Sequence, residues 1–274
     1  MMRLFLMFLL GVILGNIVAL PLTMVLPAES ATDWVTMISY PVMFIPPMFY
    51  ASRKSRAASV FNSGLALDSN NFGQLSGFKM ALIVSGMTIA TAIATEPVSS
   101  LLPQMPEWLE NVLTGMTGGN FILSFISVSI FAPLFEEWFC RGIVLRGLLT
   151  KKRPASAIAI SAIFFAVLHM NPWQALPAFT LGCVFGYVYY KTGSLKLTML
   201  MHFVNNTMAL LLSRVPALED AETFADIMSP WAYACVIAAC IIFLAAAFIT
   251  LRAIPMRAEN ATSNCDEVPS ISVE

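Results

Sequence analysis

The sequence predicts an all-α, polytopic membrane bundle of about eight transmembrane helices with both termini in the cytoplasm. Three observations carry that expectation. Of 274 residues, 58% are hydrophobic and 11% are charged, less than half the roughly 25% charged residues of soluble domains. Mean hydropathy is +0.77. Apolar runs approaching the ~20 residues that a bilayer core requires recur along the chain, and the loops between them alternate in charge. The net charge of −1 gives no polyelectrolyte basis for binding nucleic acid.

The expected spans are residues 4–26, 34–51, 79–97, 119–140, 155–171, 174–190, 196–213 and 230–251. The first follows Arg3 and runs for about 23 apolar residues, longer than the core of a signal peptide, so it is expected to be retained. The second contains Pro46 and Pro47, which predict a kink or a break. The fifth and sixth are short and joined only by Asn171, Pro172 and Trp173, a tight helical hairpin. Residues 1–257 form the expected membrane domain, with 119–213 as its catalytic core. Residues 258–274 are polar and predict a disordered cytoplasmic tail.

Orientation follows from the loops. Arg53, Lys54, Arg56 and Lys79 fall on one side, with Arg141, Arg146, Lys151, Lys152, Arg153, Lys191, Lys196, Arg252 and Arg257. Glu29, Asp33, Glu96, Glu107, Glu110, Glu219, Asp220, Glu222 and Asp226 fall on the other, where Arg214 is the single basic residue. The positive-inside rule then places the basic loops in the cytoplasm. The five cysteines form no CxxC pair, which argues against a disulfide framework or a cysteine zinc site.

Ionisable side chains inside a span cost about 2.5–3.5 kcal/mol each and mark functional candidates. Here they are Glu136, Glu137, His169 and His202, joined by the amides Asn205 and Asn206. The chain has two histidines, and both fall in expected spans. Glu137 and Arg141 stand four residues apart, so they share a helix face and can pair. Glu136, turned by about 100°, is left to face a polar cavity. His202 and Asn206 also share a face, and Phe165 lies one turn before His169 and can wall its ring off from lipid. Asn205 is read as packing.

A glutamate and two imidazoles can hold a divalent metal, zinc above all, with a fourth position open for water. The same groups can work without metal, Glu136 as general base and the histidines with Asn206 as donors to an oxyanion. Both routes lead to hydrolysis, most plainly of a peptide bond at or within the membrane. Neither HExxH nor GxSxG occurs in the sequence, so a single-helix zinc protease and a serine elbow are not indicated.

The motifs resemble those of the CPBP intramembrane proteases, which include type II CAAX prenyl endopeptidases and bacteriocin-processing or Abi proteins. EEWFCR at 136–141 is similar to that family's EExxxR, FAVLH at 165–169 to its FxxxH, and HFVNN at 202–206 to its HxxxN/D. The resemblance covers 119–213. It implies a catalytic centre of Glu136, His169, His202 and Asn206, supported by Glu137 and Arg141, and either a metalloprotease or a metal-independent glutamate mechanism.

The expected enzyme is therefore an intramembrane endopeptidase in a prokaryotic cell membrane, its site facing the cytoplasm and its substrate a membrane-associated peptide or protein. The competing readings are a non-catalytic immunity or scaffold protein of the same family and a proton-coupled transporter. For the site to assemble, Glu136, His169 and His202 must come within about 8 Å, which predicts that the start of the fifth span projects beyond the bilayer.

Overall fold

The computed structural model describes residues 2–58, 67–215, 218 and 223–255; the tail expected at 258–274 lies outside the described residues. Among the described residues the chain is helical throughout, without strands. Helices α1 (Met2–Val25) and α2 (Ala28–Ala58) form a hairpin. Then come α3 (Gly77–Ser99), the short α4 (Glu107–Gly118), and α5, which runs from Phe121 to Leu149 over 29 residues. Helices α6 (Pro154–Leu168), α7 (Pro172–Thr192) and α8 (Leu195–Leu212) follow, then a single turn α9 (Phe224–Ile227) and α10 (Pro230–Arg252).

Each of the eight expected spans falls on a helix. Five of these helices, α1, α3, α5, α8 and α10, are long and apolar enough to cross a membrane, and α6 is a shorter apolar helix. Helix α2 continues unbroken through Pro41, Pro46 and Pro47. Helix α4 falls where sequence reading placed only a loop. Its signal was legible in Leu109, Val112, Leu113 and Met116, which repeat at helical spacing. Trp108 is exposed and Leu109 buried.

Polar caps set the helix starts. Ser76, Asn120, Asn171, Ser194 and Ser229 each accept a hydrogen bond from a backbone N–H in the first turn of α3, α5, α7, α8 and α10, meeting donors that have no partner within the helix. Gly193 closes α7 with φ of 65°, and a Cβ there would collide with Ser69. At the other end of the bundle Arg214 donates to the carbonyls of Thr117 and Gly119, where α4 ends. This accounts for the one basic residue on the acidic side: it meets the negative end of a helix dipole.

Two large cores hold most of the bundle. One joins α3, α7, α8 and α10 through Met80, Met87, Phe185, Met201 and Leu251. The other joins α1 and α2 to α5 and α6 through Phe8, Phe44, Phe139 and Phe164. Gly11 and Gly15 let α1 approach α2 so closely that a Cβ on Gly11 would overlap the Met43 carbonyl. Gly11→Ala is therefore expected to cost about 1–3 kcal/mol, the usual penalty of overpacking. A lower melting temperature in detergent would register it, and an unchanged one would contradict the packing.

Helix α5 is not a plain α-helix. Phe125–Phe131 and Trp138–Leu145 are π-helical, on either side of the α-helical Ala132–Glu137 that carries the two glutamates. Such wide turns are rare and concentrate at functional sites.

Candidate active site

Glu136 and Glu137 occupy the middle of α5, and their side chains diverge. Glu137 is fully buried, and its Oε1 accepts from Arg141 at 2.6 Å and from His202 Nδ1 at 3.0 Å. Arg141, also fully buried, donates to the Gly182 carbonyl at 3.1 Å and lies over the rings of Phe165 and Phe185, 4.5 and 5.2 Å from their centroids. The i, i+4 pairing expected from sequence is present. It carries a further consequence: the carboxylate that neutralises Arg141 also fixes the His202 ring.

Glu136 faces a cavity of about 760 Å³ whose wall includes Phe165, His169, His202, Asn205 and Asn206. The Tyr40 hydroxyl, from α2, donates to Glu136 Oε1, while Oε2 is buried and has no hydrogen-bond partner. Sequence reading missed Tyr40. Its only signal was a phenol within an expected span, seven residues past Asp33, and Tyr50 in the same span carries the same signal.

His169 caps the end of α6, where Met170 takes a left-handed φ of 54° and the chain turns into α7. Asn171 fastens that turn, donating to the His169 carbonyl at 2.9 Å. The Phe165 ring lies between the two imidazoles, its centroid 5.2 Å from His169 and 5.5 Å from His202, edge-on to both. Phe165, itself buried, thus contacts both rings rather than His169 alone.

Hydrogen-bond partners set the imidazole tautomers. His169 Nδ1 lies 3.0 Å from the Phe165 carbonyl, which can only accept, so Nδ1 carries the proton. His202 Nδ1 faces the Arg141-paired carboxylate of Glu137 and carries its proton for the same reason. In the neutral ring each Nε2 is then an unprotonated acceptor.

Asn206 donates from Nδ2 to the Val128 carbonyl at 2.8 Å, and its Oδ1 accepts from Asn205 at 3.1 Å. Val128 needs this outside donor for a definite reason. In the π register its carbonyl would bond to the residue five further on, which is Pro133 and has no N–H. Asn206 thus ties α8 to the wide turn before the glutamates. Asn205, read from sequence as packing, lines the cavity and orients Asn206.

Helix α5 is longer than the span expected for it. Sequence reading ended this span near 140 with Glu136 close to the basic end, but the helix continues to Leu149, thirteen residues past Glu136. Leu145, Ala157 and Leu195 pack together at that end. Counted from this shared level at about 1.5 Å per residue, Glu136, His202 and His169 stand at heights that differ by no more than about 8 Å. The start of α6 is level with its neighbours and does not project beyond them. The lining runs away from the basic loops, whereas sequence reading had the site face them. It includes Thr114 and Thr117 of α4, Asn171 and Trp173 at the α6–α7 turn, and Ser213 after α8.

Whether Glu136, His169 and His202 could hold zinc can be judged from the donors. The free Nε2 atoms suit a metal. However, among the described residues no three His, Cys, Asp or Glu side chains come together closely enough to bind one, and Glu136 Oε1 is engaged by Tyr40. The arrangement does not fit a three-ligand metal site.

Residues 118–208 match the family model for type II CAAX prenyl endopeptidase Rce1-like proteins. Neither the curated proteins nor the solved structures gave a match. The matched stretch includes all three motifs and ends just past Asn206, while Tyr40 and α4 before it and α10 after it lie outside. The match to type II CAAX prenyl endopeptidase Rce1-like proteins over residues 118–208 agrees with the CPBP family that the three motifs resemble.

Proposed function

We propose that the protein is an intramembrane endopeptidase in which Glu136 activates the water that attacks a peptide bond. The observation that carries this reading is the unpartnered, buried Oε2 of Glu136 beside a cavity lined by both histidines. A buried carboxylate oxygen without a donor is costly, and a water or a substrate amide supplies what it lacks. Glu136 takes a proton from the water as the hydroxide attacks the scissile carbonyl, then returns it to the departing amine. The second N–H of the Asn206 amide is available to the developing oxyanion. The water's second hydrogen is left for the Nε2 of either His169 or His202 to accept, which orients the water for attack.

Tyr40 acts as a positioning residue, holding Oε1 so that Oε2 meets the water. Tyr40→Phe removes one hydrogen bond, worth about 1 kcal/mol. It is expected to lower kcat by roughly five- to tenfold with little change in KM. Steady-state cleavage would show this, and an unaltered kcat would remove Tyr40 from the reaction.

The test of the function is cleavage of a membrane-anchored reporter by the purified protein in liposomes, with and without chelator. Cleavage that survives chelation supports the glutamate mechanism. Loss of cleavage on chelation, restored by zinc, would support the second reading, a divalent metal drawn in by Glu136, His169 and His202. The free Nε2 atoms favour that reading and the ligand spacing does not. Absence of cleavage under every condition would favour the non-catalytic immunity or scaffold role. Solute uptake abolished by Glu136→Gln would favour the transporter.

A further inference from the structure

The cavity is one-sided. Its floor is the level of Glu136 and His202, and no lining residue comes from α5 after Glu136, from α6 before Phe165, or from α8 before His202. Its walls continue through Thr114 of α4 and Trp173 to Ser213, which places the mouth at the end of the bundle where α4 packs against α2 and α5. That end of the bundle carries Asp33, Glu96, Glu107, Glu110 and Asp226, while Lys79, Lys151, Lys152, Arg153, Lys196 and Arg252 mark the opposite end. By the positive-inside rule the mouth is extracytoplasmic.

From this we propose that the cavity receives its substrate from the acidic-loop face, as an extended apolar segment at the extracytoplasmic end of a membrane-anchored protein. The proposal rests on the endopeptidase reading above. His202 lies ten residues before the end of α8 at Leu212, so the floor is about 15 Å from the mouth. An extended chain covers that depth in about five residues, whereas a helix hides the carbonyl that must be attacked. A substrate must therefore present an unwound stretch at least that long. Near the floor the walls are Phe44, Ala132, Phe165, Leu181 and Phe185, which select apolar side chains beside the scissile bond, while the threonines and Asn171 near the mouth accommodate polar backbone.

Two measurements on the full chain in intact cells test this. In the first, Thr114→Cys, at an exposed position on α4, and Lys151→Cys, on the basic loop, are treated with a membrane-impermeant maleimide. Labelling of Thr114→Cys in intact cells, with Lys151→Cys labelled only after permeabilisation, is the expected result. The reverse pattern would overturn the proposed side. In the second, one apolar segment is placed at the extracytoplasmic or the cytoplasmic end of the same single-span reporter. Cleavage of the extracytoplasmic version alone, lost with Glu136→Gln, is expected. Cleavage of the cytoplasmic version alone would overturn the proposal even if Thr114→Cys labels from outside. Cleavage of neither reporter would overturn the endopeptidase reading instead, since labelling reports the side independently of activity.

Discussion

Glu136→Gln is expected to lower turnover by about 10²–10⁴-fold, the usual contribution of a positioned general base, while the protein remains folded. The amide matches the carboxyl in shape, and its carbonyl can still accept from the Tyr40 hydroxyl. What it cannot do is take a proton from water. A melting temperature within a few degrees of the parent's would separate the chemical loss from unfolding. The same substitution at Glu137 acts differently, because Glu137 does not line the cavity. Its carboxylate is tied to Arg141 and His202, so its loss releases a ring and strands a buried cation.

Arg141→Met is expected to have the largest effect on stability, about 3–5 kcal/mol, because it leaves Glu137 charged and uncompensated in a dry interior. Both partners are fully buried. The guanidinium also donates to the Gly182 carbonyl and packs against two aromatic rings. Arg141→Lys should fail as well, since one ammonium cannot reproduce a planar fork that serves two acceptors and stacks on rings. The double variant Glu137→Leu with Arg141→Met should recover stability relative to the single, because an apolar pair replaces a buried ion pair at little cost. Activity should stay low, with His202 deprived of the acceptor that holds its tautomer. Chemical unfolding in detergent, run beside cleavage of the membrane reporter, tests both halves. A double variant as unstable as Arg141→Met alone would refute the ion-pair account.

The parts of the site that could be read from sequence are those set by local helical geometry. The divergence of Glu136 from Glu137, the Glu137–Arg141 pair and the contact of Phe165 with His169 one turn later all follow from 3.6 residues per turn, and each is present. What sequence did not disclose depends on contacts between distant segments. Tyr40 reaches Glu136 across 96 residues of chain, and nothing in its neighbourhood marks the partner. Asn205 looked like packing because its role is to orient Asn206, which in turn answers a proline-orphaned carbonyl on another helix.

The length of α5 was misread for a different reason. Arg141 and Arg146 looked like loop charges, yet both are buried, and the helix continues past them through a π-helical stretch. A hydropathy reading ends a span at its first cations, and here those cations belong to the interior. Lys191 repeats the pattern. Counted as a loop charge, it is buried and donates to the carbonyls of Arg252 and Ile254 at the end of α10.

If the Glu136 cavity hydrolyses a peptide bond, the new carboxylate must take its oxygen from water. Mass spectrometry of the reporter fragments, released by the purified protein in heavy-oxygen water, tests it most directly. The account predicts two fragments from a single apolar site, one heavy oxygen in the newly formed carboxylate, and neither product with Glu136→Gln. Fragments formed equally well by Glu136→Gln, or an intact reporter beside a folded parent protein, would contradict it.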